Sequence, residues 1–163
     1  MRHAIESLDA AAPVVLLAYL LLAVVSAALV KIDFDTLRLP NAIVLPSAAV
    51  FALMLTLAVV AGAESDRLAT ACAAAAALGF GYGLLWWLRP GSIGAGDVKL
   101  AALLGLALGW AGWQAVLVGT LIAWVLGGAL GLALLASHHS ARQANLPFGP
   151  PMIAGAWFAI ALG

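Results

Sequence analysis

The chain is 163 residues long, 66% hydrophobic, with a mean hydropathy of +1.14 and only 9% charged residues. No soluble core of this size needs that much apolar side chain, so the composition selects an integral membrane protein. Seven basic and seven acidic residues leave a formal net charge of zero, which removes the electrostatic footprint of a nucleic-acid partner. The lone Cys72 excludes an intrachain disulfide and a cysteine metal cluster.

Six apolar stretches follow in chain order. The first runs from about Pro13 to Val30, the second from about Ala42 to Gly62 and the third from about Leu68 to Leu88. A shorter fourth covers about Val98 to Trp113, the fifth about Gln114 to Ala136 and the last about Pro150 to Leu162. An α-helix needs about 20 residues to cross roughly 30 Å of hydrocarbon. The last stretch falls short unless it starts at Phe148 or the bilayer thins around it. The segments are rich in Ala, Leu and Gly and lack period-two alternation, so a β-barrel is excluded. The expected fold is all-α, a polytopic membrane bundle of about six transmembrane helices forming one domain over residues 1–163. A signal peptide is the competing reading of the first stretch, because Arg2 precedes it and Ser26-Ala27-Ala28 mimics a cleavage site. Acidic Glu6 and Asp9 ahead of the run, and five further spans, favour a membrane helix.

The charges orient the bundle. Lys31, Arg38, Arg89, Lys99 and Arg142 fall in alternate connections, and only Arg2 and Arg67 fall in the others, accompanied by Glu6, Asp9, Glu64 and Asp66. The positive-inside rule then makes loops 31–41, 89–97 and 137–149 cytoplasmic and puts both termini outside. Trp86, Trp87, Trp110 and Trp113 lie at span ends and are expected to anchor at the headgroups. The many glycines, Gly79, Gly81, Gly83, Gly105, Gly109, Gly127, Gly128 and Gly131 among them, are expected to let helices approach closely in lipid. Cys72 is expected to be a small packing residue of the third span.

Three carboxylates, Asp33, Asp35 and Asp97, share the cytoplasmic face. In the first loop Asp33 and Asp35 are two residues apart and point about 200° apart if helix continues through them, so only one faces the interior. Pro40 is placed to end or redirect the chain before the second helix. In the second loop, Gly94 and Gly96 are expected to supply positive φ and close approach to a substrate backbone. Asp97 stands where the fourth helix begins, as an N-cap, which by itself explains a carboxylate there. The loop lacks the Lys-Ser/Thr ending of a phosphate-binding loop. An ionisable residue at the end of a membrane segment is by default functional. Two carboxylates from different helices held close together cannot both ionise easily, so one keeps a proton to polarise a carbonyl while the other takes a proton from water. Asp33 lies at the C-terminal end of the first helix, whose dipole disfavours an anion, and it is therefore expected to be the protonated member. In the third loop, adjacent His138 and His139 lack a spaced third ligand, and no metal or cofactor is expected. The competing class is a transporter or channel component whose aspartates carry protons or cations.

Three motifs resemble those of the prepilin peptidases, membrane aspartic proteases that process type IV pilin and type II secretion pseudopilin precursors. Asp33 stands seven residues before Pro40 in Asp-Phe-Asp-Thr-Leu-Arg-Leu-Pro-Asn. Gly94-Ala95-Gly96-Asp97-Val98-Lys99 is similar to the family's Gly-x-Gly-Asp signature, and Leu146-Pro147-Phe148-Gly149-Pro150 to its late Pro-Phe-Gly-Pro segment. The resemblance implies a catalytic pair, Asp33 and Asp97, with Asp35 the rival for the first role. It implies that Asp35, Pro40, Gly94, Gly96, Lys99, Pro147, Phe148, Gly149 and Pro150 shape the site or bind substrate. The implied substrate is a prepilin or pseudopilin whose basic leader ends in Gly and precedes a hydrophobic helix with Glu at its fifth position. The implied cut is at the cytoplasmic face of a prokaryotic inner membrane. Longer members carry an N-terminal region with paired Cys-x-x-Cys motifs and methylate the new N-terminus; this sequence has no such cysteines, and a peptidase without a built-in methyltransferase is expected. The late segment looks closer to the bacterial branch than to the archaeal preflagellin peptidases.

Overall fold

Backbone amides inside hydrocarbon find partners only in a helix or a closed barrel, and every regular element among the described residues is α-helical. The computed structural model describes residues 2–37, 39–89, 93–136 and 148–162, with the side chains of these except 2–9, 134 and 135. The elements are α1 (Arg2–Thr36), α2 (Asn41–Val60), α3 (Ser65–Leu88), α4 (Ala95–Ala111), α5 (Trp113–Ala136) and α6 (Gly149–Leu162). The all-helical bundle read from composition is therefore the observed one. Pro13 and Pro46 lie inside α1 and α2 without ending them.

Length divides the helices into two kinds. Ala10–Thr36 of α1, all of α2 and α3, and Trp113–Ala133 of α5 are long and apolar enough to cross a membrane. The other two, α4 with 17 residues and α6 with 14, are shorter. At 1.5 Å per residue they reach only about 26 and 21 Å. Burial explains the difference. Leu100, Ala101 and every residue from Leu103 to Trp110 of α4 are buried, as are Met152, Ile153, Gly155, Ala156 and Ala159 of α6. A helix enclosed by protein need not match the lipid thickness, and one apolar on all sides is an interior helix. The sequence treats all six stretches alike because hydropathy does not distinguish lipid from protein surroundings.

Close approach to α4 depends on glycine. A Cβ on Gly105 would stand 2.7 Å from the Ala75 Cα, and one on Gly109 2.6 Å from the Ala71 Cα, so the α3 and α4 backbones are nearly in contact. Gly155 does the same between α6 and α5, where its Cβ would lie 2.5 Å from the Gly119 carbonyl oxygen. Gly81 and Gly128 meet nothing within 4 Å and have no such role. Polar links pin the outer helices to this interior. Tyr19 of α1 donates its hydroxyl hydrogen to the Ala107 carbonyl of α4 at 2.7 Å, and Trp157 Nε1 of α6 donates to Ser26 Oγ of α1 at 3.2 Å. The Tyr19 ring also meets Phe51 and Trp157 edge-on. Trp86, Trp87 and Trp113 are exposed, as headgroup anchors should be, but Trp110 is buried. Cys72 is exposed rather than packed.

Because α1 and α6 run antiparallel, the bundle has one end carrying Asp33 and the N-termini of α4 and α6, and an opposite end carrying the α2–α3 connection and the C-termini of α4 and α6. Substitution at the tight glycines should separate the helices. Gly109→Ala is expected to lower stability by about 1–3 kcal/mol, since an added methyl meets backbone and thus cannot be accommodated by a rotamer change. Gly81→Ala should be neutral or stabilising by up to about 1 kcal/mol. Thermal unfolding of both variants in detergent checks the contrast; equal effects would remove glycine packing as the reason for the α3–α4 contact.

Candidate active site

Seven acidic side chains are present, and among the described residues two of them are buried: Asp33 at 4% exposure and Asp97 at 8%. Asp33 lies one turn before the end of α1. The helix continues through Asp35, so the two carboxylates diverge, and Asp35 is exposed while Asp33 faces inward. Past Thr36 the chain leaves the helix at Leu37, whose φ is 52°, and Pro40 precedes α2 in extended conformation. The intervening Leu39 is buried against the first turn of α4.

At that turn the structure corrects two expectations. Gly94, not Asp97, is the N-cap of α4; Asp97 occupies the third helical position and its Oδ2 accepts a hydrogen bond from the Gly94 N–H at 3.0 Å. This is the carboxylate half of a capping box, which satisfies an otherwise orphaned helix-start amide. Nor do Gly94 and Gly96 take positive φ; among the described glycines only Gly62 and Gly112 do. Gly96 is demanded by proximity instead, because its Cβ would lie 2.8 Å from the Leu39 Cβ. The glycine lets the chain between α1 and α2 rest directly on the start of α4.

Asp33 receives its hydrogen bond from a distant part of the chain. The Gly149 N–H, at the first residue of α6, donates to Asp33 Oδ2 at 3.2 Å. A Cβ at position 149 would sit 2.7 Å from the same oxygen, so only glycine brings the amide this close. Phe148 is held just before it by an aromatic neighbour and a notch. Its ring tilts against Tyr82 of α3 with centroids 6.3 Å apart, and a Cβ on Gly127 of α5 would overlap it. Tyr82 is itself fixed by Trp124, whose Nε1 donates to the Tyr82 hydroxyl at 3.1 Å. Trp124, Tyr82 and Phe148 thus brace the start of α6 over Asp33, and Tyr82 stands within electrostatic reach of Asp97. The sequence reading includes Phe148 and Gly149 but misses Tyr82, Trp124 and the specific use of Gly127; the available signal was a hydroxyl inside an apolar span, which needs a partner.

Of the other expected residues, Pro40 and Pro150 border these turns. Lys99 donates its Nζ to Asn41 Oδ1 at 2.6 Å and, among the described residues, makes no ion pair with either carboxylate. Pro147, Arg38, His138, His139 and Arg142 lie outside the described residues. No group of three or more His, Cys, Asp or Glu side chains is placed to hold a metal ion among the described residues.

Burial pushes the Asp97 carboxyl up to about 6; the Gly94 N–H pulls in the opposite direction, and the charge of Asp33 adds to the rise. The two acids are thus within electrostatic reach of one another.

The type IV leader peptidase family matches residues 16–132, a stretch that contains both buried carboxylates. The chain is 36% identical over 141 residues to a prepilin leader peptidase/N-methyltransferase of Pseudomonas putida, covering 83% of this chain and 46% of that protein. It is 36% identical over 156 residues to the protein of that name from Aeromonas hydrophila, covering 90% of this chain and 50% of the relative. With that of Stutzerimonas stutzeri the identity is 32% over 137 residues. The chain belongs to the type IV leader peptidase family. It spans about half the length of the curated relatives it matches. No solved structure matches it. Membership makes the paired carboxylates, rather than the exposed Asp35, the part of this family member to test first.

Two expected outcomes follow from the geometry. Because the folded state holds a proton on Asp97 that the unfolded chain releases near pH 4, stability should fall as pH rises through about 6, by about 3 kcal/mol at most. Melting curves between pH 4.5 and 8 should show this slope in the unmodified protein and lose it in Asp97→Asn; an unchanged slope in that variant would assign it to another group. Gly127→Leu should displace Phe148 and expose Asp33 to solvent, seen as faster labelling of Asp33 by a carboxyl-modifying carbodiimide, with Gly128→Leu as the silent neighbour.

Proposed function

We propose that the chain is an aspartic endopeptidase that removes the basic leader from prepilin or pseudopilin precursors at the cytoplasmic face of the inner membrane. The observation that carries this reading is the pair of buried, coupled carboxylates, each accepting an N–H from the start of a helix. The names of the relatives supply the substrate class, and the matched family supplies the reaction. The excess of basic residues that the sequence assigns to the side of Asp33 and Asp97, five against two, supports the cytoplasmic assignment.

The geometry favours Asp97 over Asp33 as the member that holds the proton. Judged from α1 alone, Asp33 sits at a negative dipole end and should be neutral. The α6 N-terminus opposes that local field, since the Gly149 amide donates to Asp33 Oδ2. In this scheme ionised Asp33 takes a proton from a water molecule as the water oxygen bonds to the scissile carbonyl carbon. Neutral Asp97 donates its proton to the carbonyl oxygen. The tetrahedral intermediate then collapses as that oxygen returns its proton to Asp97 and becomes a carbonyl again. The C–N bond breaks and the proton on Asp33 passes to the departing amine, which becomes the new N-terminus of the mature pilin. Burial keeps bulk water from competing for these protons and strengthens the coupling between the two acids.

Substrate entry is consistent with the layout. A precursor helix lying in the membrane beside the bundle would present the residues just before its apolar run at the end where α4 and α6 begin. There Gly94 leaves backbone exposed to close approach.

Co-expression with a prepilin or pseudopilin and detection of the shortened product tests the reading. Asp33→Asn and Asp97→Asn should each reduce cleavage by at least a thousandfold while the protein still inserts, and Asp35→Asn should retain most activity. Full cleavage by Asp97→Asn would end the dyad mechanism. The profile of kcat/KM against pH should be bell-shaped and fall on the alkaline side from about pH 6, as the dyad loses its shared proton. The carboxylic acid infrared band should vanish in Asp97→Asn and persist in Asp33→Asn.

A further inference from the structure

At the end of the bundle opposite the carboxylates, α4 stops at Ala111 and α6 at Leu162, leaving a hollow between α1 and α3 above their last turns. Two adjoining cavities of about 560 and 530 Å³ fill it, and both are walled by Val15, Tyr19, Arg67 and Trp110. Tyr19 lies 14 residues before Asp33 on α1, so the hollow is about 21 Å along the helix from the candidate active site and separate from it.

The lining is divided by chemistry. Val15, Leu16 and Ile160 make one side apolar, whereas the α2–α3 connection brings Glu64, Asp66 and Arg67 to the other. Arg67 is half-exposed and ion-paired with Glu64 through Nε at 3.2 Å, which leaves its terminal nitrogens available. Trp110 supplies the second observation. It is 5% exposed, yet its indole N–H has no acceptor among the described residues, and no side-chain nitrogen sealed from the surface lacks a partner. Trp110 lines both cavities.

We propose that this hollow binds one zwitterionic phospholipid. Its phosphodiester accepts from the Trp110 indole and the Arg67 guanidinium, and its ammonium faces the Glu64 and Asp66 carboxylates. An acyl chain lies along Val15 and Leu16. The division of charge selects the headgroup: an anionic lipid would satisfy Arg67 but set its net charge beside two carboxylates, whereas a phosphoethanolamine presents both signs in the needed order. The short α4 and α6 make room for the glycerol backbone below headgroup level, where a longer helix would fill the space.

Native mass spectrometry of the full chain, released from detergent after incubation with equimolar phosphatidylethanolamine and phosphatidylglycerol, tests the assignment. Phosphatidylethanolamine should be retained at least tenfold over phosphatidylglycerol. Arg67→Ala and Trp110→Phe should each lower its retention about tenfold, and Glu64→Gln with Asp66→Asn should abolish the preference for it. Soluble glycerophosphoethanolamine should not compete, which separates a lipid site from a simple phosphate site. Equal retention of both lipids by the unmodified protein would overturn the proposal, as would unchanged retention in Arg67→Ala. Should Arg67→Ala fail to fold, Val15→Trp fills the apolar wall without touching a charge; continued selective binding in that variant would also overturn it.

Discussion

Two carboxylates are held inside a bundle that is otherwise hydrocarbon, and each must be given a hydrogen-bond donor or a proton. The donors come from the starts of α4 and α6. Asp97 finds its own within three residues, so α4 needs only its Gly94 cap. Asp33 depends on a donor 116 residues away, and that amide, with the Trp157–Ser26 hydrogen bond, ties α6 to α1. Everything near the site that is unusual for a membrane helix can be traced to this requirement. The glycine at 149 lets the amide approach, Phe148 lodges in the notch left by Gly127, and Trp124 gives up its indole hydrogen to fix Tyr82 behind the Phe148 ring. Removing the donor would leave a buried carboxylate unsatisfied, which costs far more than the bond itself contributes.

Much of this was legible in the sequence, for identifiable reasons. Helices in lipid must be long and apolar, so five of the six elements begin and end within three residues of the apolar runs. Only α1 departs, continuing a full turn and more past Val30, because Asp33 and Asp35 do not stop a helix; the break comes where Pro40 removes a donor and constrains residue 39. The interior position of Asp33 relative to Asp35 also follows from helical geometry, since residues two apart cannot share a face. Composition could not say which of the two would turn inward, and only packing decides it.

What the sequence did not reveal depends on tertiary approach. The Asp97 carboxylate reads as an N-cap or as an N3 cap from the same letters, and the distinction rests on where helical dihedrals begin. Gly94 and Gly96 suggest unusual backbone, but ordinary dihedrals with a Leu39 neighbour 2.8 Å from a would-be Cβ explain Gly96 equally well. The α6 N-terminus facing Asp33 is invisible until α1 and α6 are seen to be antiparallel, and its amide opposes the effect that α1 alone predicts. Tyr82 and Trp124 each look like ordinary span residues; their pairing across α3 and α5 gives them a role.

Helix length connects the two ends of the molecule. At the carboxylate end, α4 and α6 must both start level with Asp33, because their first amides are needed there. Being short, they then stop before the opposite end, and the deficit appears as the hollow beneath Arg67 and Trp110. Extending α4 by two turns would close the hollow without disturbing Asp97, so the space is not forced by the site. A bilayer-facing void would ordinarily be filled by side chains or by lipid, since packing density in membrane proteins is what holds helices together once the hydrophobic effect between them is gone. Here the polar groups at its rim are unlike the apolar surface elsewhere on the bundle. The same short helices that aim two amide groups at the acids thus leave, some 20 Å away, a hollow whose apolar wall and charged rim match the proposed tail, phosphate and ammonium.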